Sequence, residues 1–269
     1  MIPFEYCPEE TLRGLRGVFT DLDETLTTNG RLRAATYDAL ERLDDAGLMI
    51  VPVTGRPAGW CDLIVRTWPV AGVVAETGAL SLWLDPADGR LRRLYATAAL
   101  ERGRHATRLA GLLEEIRLHV SDAVTASDQR YRECDLAIDY HEDARLEPAQ
   151  VERITALCCA AGAQVSVSSA HVNIWLGSHD KLSMSRELLA EAHGIDLDRE
   201  RERFLFVGDS LNDESMFGFF PCSVGVANVA RFSDRLTRIP RYVTRGVSGA
   251  GFEEIANRIL ECNNILHNT

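Results

Sequence analysis

Short apolar runs alternate with longer segments of helical period along the first third of the chain. Leu15 to Thr20 is an apolar run that ends in the acidic cluster DLDET, which predicts a buried strand with acids at its C-terminal end. Arg33 to Ala46 places Tyr37, Leu40 and Leu43 at helical spacing and meets Gly47, a glycine stop. Leu48 to Thr54 reads as a second buried strand, Pro57 opens another helix, and Val70 to Glu76 supplies a third strand. Strand and helix in turn is the rhythm of a parallel sheet covered by helices.

That rhythm then breaks. LSLWL and RLRRLYA flank the turn signal DPADG and predict an antiparallel hairpin. A helix over Gly103 to His119, a strand over Cys134 to Tyr140, a helix over Pro148 to Ala161 and the strands AQVSVSS and HVNIWLG follow. After Lys181 the parallel rhythm returns: a helix to His193, the strand RFLFVGD, a helix from about Asn212, the strand CSVGV and a last helix from Gly251. The expected fold class is α/β. A Rossmann-like, doubly wound parallel-sheet core is built from residues 1–83 and 178–269, and a smaller α+β domain, 84–177, is inserted in it.

Composition removes several alternatives. The chain of 269 residues is 46% hydrophobic and 26% charged, an ordinary globular balance with enough apolar residues for a sizeable core. A net charge of −11, with no basic run, argues against nucleic acid as a partner. No apolar run is long enough to span a membrane, and MIPFEYCPEE does not read as a signal peptide. Seven cysteines without a C-x-x-C pair fit reduced thiols, so a cytoplasmic location is expected. The seven histidines form no cluster, and zinc is not expected. Oligomeric state is not legible.

Lysine use is unusual. Lys and Arg number 29, and Lys181 is the only lysine among them. A compact ammonium does what a planar guanidinium cannot, so Lys181 is a candidate for a buried point charge.

Four segments fall at or near the C-terminal ends of predicted strands, where an open parallel sheet binds its ligands. They are DLDET (Asp21 to Thr25), TGR (Thr54 to Arg56), the Lys181 region and GDSLND (Gly208 to Asp213). Asp21, Asp23, Asp209 and Asp213 would converge there, and carboxylates that close resist joint ionisation unless a hard cation joins them. All-oxygen ligation suits Mg²⁺. Asp21 could attack phosphorus, and Asp23 could protonate the leaving group and then activate water. Thr54, with Gly55, could contact a phosphate oxygen, and Lys181 could neutralise the transferring group. Arg56 fits a substrate contact or an ion pair. Asn212 fits a helix cap or a contact to Lys181 and phosphate. Trp60 and Trp68 are read as packing.

These segments resemble the four ordered signatures of the haloacid dehalogenase superfamily: DLDETLT its nucleophile motif, VTGR its second, the lone Lys181 its third and GDSLND its acidic fourth. The resemblance implies that Asp21 is the nucleophile, that Asp23 is the acid/base and offers Mg²⁺ its backbone carbonyl, and that Asp209 and Asp213 serve the metal. Between Thr54 and Lys181 lie 126 residues, against 30 between Asp23 and Thr54, so the insert sits between the second and third motifs. That placement resembles the class IIB cap of sugar-phosphate phosphatases. AETGAL resembles their ENGA segment with Thr77 in place of Asn, and Glu24 departs from the residues common in the first motif. The resemblance implies hydrolysis of small phosphate monoesters such as sugar phosphates. Phosphotransfer within a sugar phosphate and a degenerate binding protein are the alternatives; carbon–halogen hydrolysis is disfavoured by Asp23. In HVNIWLG, strand alternation puts Val172, Ile174 and Leu176 toward the cap helices and leaves His171, Asn173 and Trp175 on the other face, either to meet a sugar or as a solvated sheet face with Trp175 packed at its edge.

Overall fold

The computed structural model describes residues 1–168 and 170–263. Six parallel strands form the central sheet, in the spatial order Ile2–Pro3, Tyr242–Val243, Cys222–Gly225, Phe204–Gly208, Gly17–Thr20 and Met49–Pro52. A single parallel bridge, Val53 to Val74, hands the sheet on to the strand Val73–Ala75. The α/β class and the doubly wound core are as the pattern predicts.

Why the central strands read as unbroken apolar runs is plain from the two faces of the sheet. Val18, Leu205 and Val207 point into one layer with Leu40 and Leu43 of the helix Ala34–Asp45 and with Phe252, Ile255 and Ile259 of the helix Ser248–Cys262. Phe19, Phe204 and Phe206 point into the other layer with Met184 and Leu188 of the helix Lys181–His193. A strand covered on both faces has no position left for a polar side chain until it ends. Each such side chain contributes roughly 1.5–3 kcal/mol on burial, so polarity at the strand ends is held in place by a large apolar grip on the strand itself.

The insert forms its own layer. Its sheet runs in the order Gln164–Val167, His171–Trp175, Leu136–Asp139, Val124–Thr125, all antiparallel. Val172, Ile174 and Leu176 pack on Leu109, Leu112 and Ile116 of the helix Ala99–His119 and on Ile154 and Cys158 of the helix Pro148–Ala160, as the alternation of that strand predicts.

The hairpin at the junction bears on where the insert starts. Leu80–Leu84 pairs with Leu91–Tyr95 on one side and with Val73–Ala75 on the other. Leu80 and Leu82 are part of the main apolar core. A boundary at Leu84 therefore cuts through a hairpin that belongs to the core, and we place the start of the insert at the helix beginning with Ala99. The signal was equivocal because a hairpin that extends a parallel sheet has the same alternation as one inside a separate domain. Also absent from the pattern are the edge pair Ile2–Pro3 and Tyr242–Val243 and the small hairpin Thr27–Thr28 and Arg31–Leu32, each too short to have a period.

Candidate active site

Strand ends deliver the acids. Asp21 follows Thr20 at the end of its strand, and its N–H donates to Val207 O of the neighbouring strand at 2.8 Å. Asp209 follows Gly208 at the end of that neighbour. Lys181 is the first residue of its helix, whose start is fixed by Asp180; the Asp180 carboxylate accepts from Ser183 N at 2.7 Å. The Lys181 side chain is 1% exposed, and its Nζ donates to Asp21 Oδ1 at 2.6 Å and to Asp213 Oδ1 at 2.7 Å.

Asp213 has a second task. Its Oδ2 accepts the N–H groups of Asp209 and Ser210 at 3.0 and 3.2 Å, so both of its oxygens are engaged. This carboxylate orients the lysine and the loop that carries Asp209. Asp209 Oδ2 in turn accepts from Asn228 Nδ2 at 2.9 Å; the same amide group donates to Glu24 O at 3.0 Å, and Asn228 Oδ1 accepts from Ser248 N at 2.9 Å. Asn228 thus ties the first and fourth acidic segments to the start of the last helix. Glu24 stands at φ 56° in the turn after the nucleophile and also receives the Ser248 hydroxyl.

Oxygens of Asp21, Asp209 and Asp213 lie within 4.8 Å of one another. Burial, offset by Lys181 and reinforced by Asp213 and Asp23, pushes the Asp21 carboxyl up to about 7. Burial and the neighbouring Asp21 and Asp213 push Asp209 well above its ordinary value. Burial works against the Lys181 ammonium, yet Asp21 and Asp213 hold its pKa above the usual lysine range. Three buried carboxylates against one ammonium leave an excess of negative charge, which is the electrostatic demand a divalent cation meets. The donor set therefore fits Mg²⁺.

Asp23 borders the same crevice, and its carboxylate is engaged by Arg56. Arg56 Nε donates to both of its oxygens at 3.0 Å. The guanidinium also reaches Glu142 at 3.0 and 3.1 Å and Asp128 at 3.4 Å, both in the insert. Arg56 thus pairs with acids of both layers. His171 is drawn into the same network, with Nε2 2.8 Å from Glu142 Oε2. His171, and then Arg56, hold the Glu142 carboxyl down to about 2 against its partial burial.

Thr54 is fully buried; its hydroxyl oxygen accepts Arg56 N–H at 3.0 Å, which leaves the hydroxyl proton to donate elsewhere. Asn212 lies within a turn capped by Ser210, and its Oδ1 accepts the Ser210 hydroxyl at 2.7 Å, so it is not the cap. Asn173 of the insert meets the core at Gly55. A Cβ on Gly55 would stand 2.7 Å from Asn173 Nδ2, so only glycine admits this approach. Asn173 is 1% exposed, and its Oδ1 has no partner among the described residues. Trp175 instead donates its indole N–H to His179 O at 3.1 Å and packs at the sheet edge. Asp21, Asp23, Gly55, Asn173, Ser210 and Asn212 line one nearly closed crevice of about 10 Å³, room for a single water.

Two holding devices escape a reading of single motifs. Asn228 follows a predicted strand end, and that position was its only signal. Glu76, in AETGAL, is fully buried and carries the larger load. Its carboxylate accepts Ala58 N and Glu133 N at 3.0 and 2.9 Å through Oε1, and Cys134 N and Asp135 N at 2.7 and 3.1 Å through Oε2. Three of these four donors belong to the insert loop 126–135, which Arg132 also pins to Gly55 O at 2.8 Å. Glu76 and Thr77 both stand in the left-handed region, at φ 47° and 56°. Such strain persists where the surroundings enforce it, and here the four N–H groups do so.

Among the described residues, no helix is long and apolar enough to cross a membrane. No protein-family model and no curated protein matches the chain. Solved structures do. A protein of Thermoplasma acidophilum, 0175, aligns at TM-score 0.69 with 18% identity, over 92% of this chain and 99% of its own. A haloacid dehalogenase-like hydrolase from Bacteroides thetaiotaomicron aligns at 0.65 with 16% identity, over 91% and 99%. The sucrose-phosphatase of Synechocystis sp., solved with sucrose and phosphate, aligns at 0.62 with 17% identity, over 92% and 98%. Core and insert are both covered in these alignments, and the fold of the chain is that of the haloacid dehalogenase-like hydrolases.

Proposed function

We propose that the chain is an Mg²⁺-dependent phosphohydrolase of the haloacid dehalogenase superfamily that cleaves small phosphate monoesters, sugar phosphates among them, through a phosphorylated Asp21. The observation that carries this reading is the only lysine of the chain, buried between Asp21 and Asp213 where two parallel strands end. The likeness to a structure named as a sucrose-phosphatase supports the substrate class at the level of fold. Seven free cysteines support a reducing, cytoplasmic setting.

Asp21 Oδ1 is held by Lys181, and Oδ2 has no hydrogen bond among the described residues. Oδ2 is thus free to attack phosphorus. As the P–O bond to the leaving group breaks, Asp23, released from Arg56 and protonated from solvent beforehand, donates that proton to the departing oxygen. In the second step Asp23 takes a proton from water, the water oxygen attacks phosphorus, and the bond to Asp21 breaks to release inorganic phosphate. Lys181 offsets negative charge on Asp21 and on the transferring oxygens, and the free Thr54 hydroxyl proton can bind one of those oxygens. Mg²⁺, held by Asp21, Asp209 and the Asp23 carbonyl with Asp213 behind them, would supply further positive charge to the transferring group. The crevice as it stands has room for one water, so an ester would enter by a movement of the insert that widens it.

Phosphate release from a panel of esters tests the proposal. EDTA should abolish it and added Mg²⁺ restore it; full activity in metal-free protein would sink the reading. A second expectation separates the two polar residues of the insert strand. Asn173 lies in the crevice with Asp21, whereas His171 meets Glu142 outside it. Asn173→Ala should lower kcat/KM about tenfold or more for a small aryl phosphate and for a sugar phosphate alike, the effect of losing a hydrogen bond to a charged group. A loss confined to the sugar phosphate would instead put Asn173 on the leaving group.

A further inference from the structure

A second cavity, of about 470 Å³, opens beside the catalytic crevice, and its walls are apolar: Leu22, Leu32, Trp60, Leu63, Trp68 and Tyr131. We infer that this groove is a subsite for an apolar group of ring size on the leaving alcohol, so that the preferred substrate is an amphipathic phosphate monoester; the inference rests on the phosphohydrolase reading above. Trp68 packs against the core, as read from the sequence, and Trp60 and Trp68 would also wall this subsite.

Position is the first argument. Leu22, between Asp21 and Asp23 in the chain, lines the groove, so the groove lies against the segment that carries both acids. Gly30 lines this groove and also a polar cavity of about 480 Å³ that contains Asp23, Arg56 and Glu142, so the two spaces share a wall there. Arg56 forms the partition. Its guanidinium lies 4.6 Å from the centre of the Trp60 ring while its Nε holds Asp23. A leaving group that passes Asp23 therefore meets hydroxyl-binding groups first and an aromatic wall next.

Exposure is the second. Trp60 is 40% exposed, Leu63 62% and Tyr131 44%, and all three border one groove rather than being scattered. Clustered exposed apolar surface marks a place where something binds. A volume of this size, mostly apolar with polar groups at one end, matches a small-molecule site.

Closure is the third. Tyr131 belongs to the insert loop that Glu76 grips, and it seats on Gly59 so closely that a Cβ there would stand 2.9 Å from Tyr131 Cβ. The groove gains its last wall in the same arrangement that leaves the crevice room for one water.

The test is a homologous series of n-alkyl phosphates, ethyl to octyl. Burial of one methylene changes affinity about fourfold, so kcat/KM should climb about fourfold per methylene until the groove is filled and then level off. Leu63→Ser and Tyr131→Ala should flatten that slope; because the slope is read within each variant, any general loss cancels. A titration with 4-phenyl-1-butanol followed by tryptophan fluorescence reads the groove without turnover, and both variants should weaken it. A flat series in the parent, a slope untouched by both variants, or no response to the alcohol would each overturn the inference. So would a dimer in solution that shields Trp60 from the alcohol. Failure of the phosphohydrolase reading looks different: no ester is turned over, yet the alcohol still binds and the variants still weaken it.

Discussion

Asp21→Asn should lower turnover on the order of 10⁴-fold or more, the scale seen when a nucleophile is removed from a catalytic unit that otherwise survives. The amide keeps the size of the carboxylate but cannot attack phosphorus. The second half of the expectation concerns stability. Removing one partner of a buried ion pair is usually costly because the other charge is stranded. Here Lys181 keeps Asp213 at 2.7 Å, and the carboxyl removed is one that burial and two other acids already press toward its neutral form. The two effects oppose, and the second dominates while Lys181 stays paired. Metal-free Asp21→Asn should therefore melt no lower than the metal-free parent. Initial rates on an aryl phosphate and paired thermal melts check both halves. A rate within tenfold of the parent would remove Asp21 from the reaction, and a sharp drop in melting temperature would show that Lys181 is not held by Asp213 alone.

Glu76→Gln should be the most damaging isosteric change away from the crevice. Each Glu76 oxygen now accepts two backbone N–H groups. The glutamine NH₂ would face two donors with a donor, and a buried N–H without an acceptor costs about 1–3 kcal/mol. A loss on the order of 3 kcal/mol corresponds to a fall in melting temperature of roughly 5–10 °C for a domain of this size. Because three of the four donors come from the insert, amide exchange at Cys134 and Asp135 should accelerate before the core opens. A melt within 2 °C of the parent with unchanged exchange at those amides would mean that Arg132 and the Arg56 network hold the loop without Glu76.

The core of the site was legible because burial makes polarity conspicuous. Asp21, Thr54 and Asp209 each end a run such as LRGVF or RFLFV, where every earlier position faces a packed layer. Lys181 stood out for a different reason, being a residue type used only once. What stayed hidden acts across long separations between polar loops. Asp128, Arg132 and Asp135 gave no signal, since a carboxylate docked on an arginine has the same sequence signature as one in water. Arg56 had two open readings because its partners, Asp23, Asp128 and Glu142, lie in three segments that only the fold brings together. Glu76 was in view, within AETGAL, but nothing in that string says that it takes three donors from a loop more than fifty residues on. The junction hairpin is the opposite case: its local pattern was clear, and which sheet it joins is not a local property.

The burial of the only lysine has a practical consequence. A folded chain with Lys181 at 1% exposure presents no lysine to amine-reactive labels, lysine-directed cross-linkers or a protease that cuts after lysine. Once the helix that carries it comes loose, the same protease has a single place to cut, after residue 181, and the chain falls into two fragments. When opening and closing are fast relative to cleavage, the rate of that one cut follows the population of the open form. The residue that holds the nucleophile in place is therefore also a built-in reporter of how often the centre of the molecule comes apart.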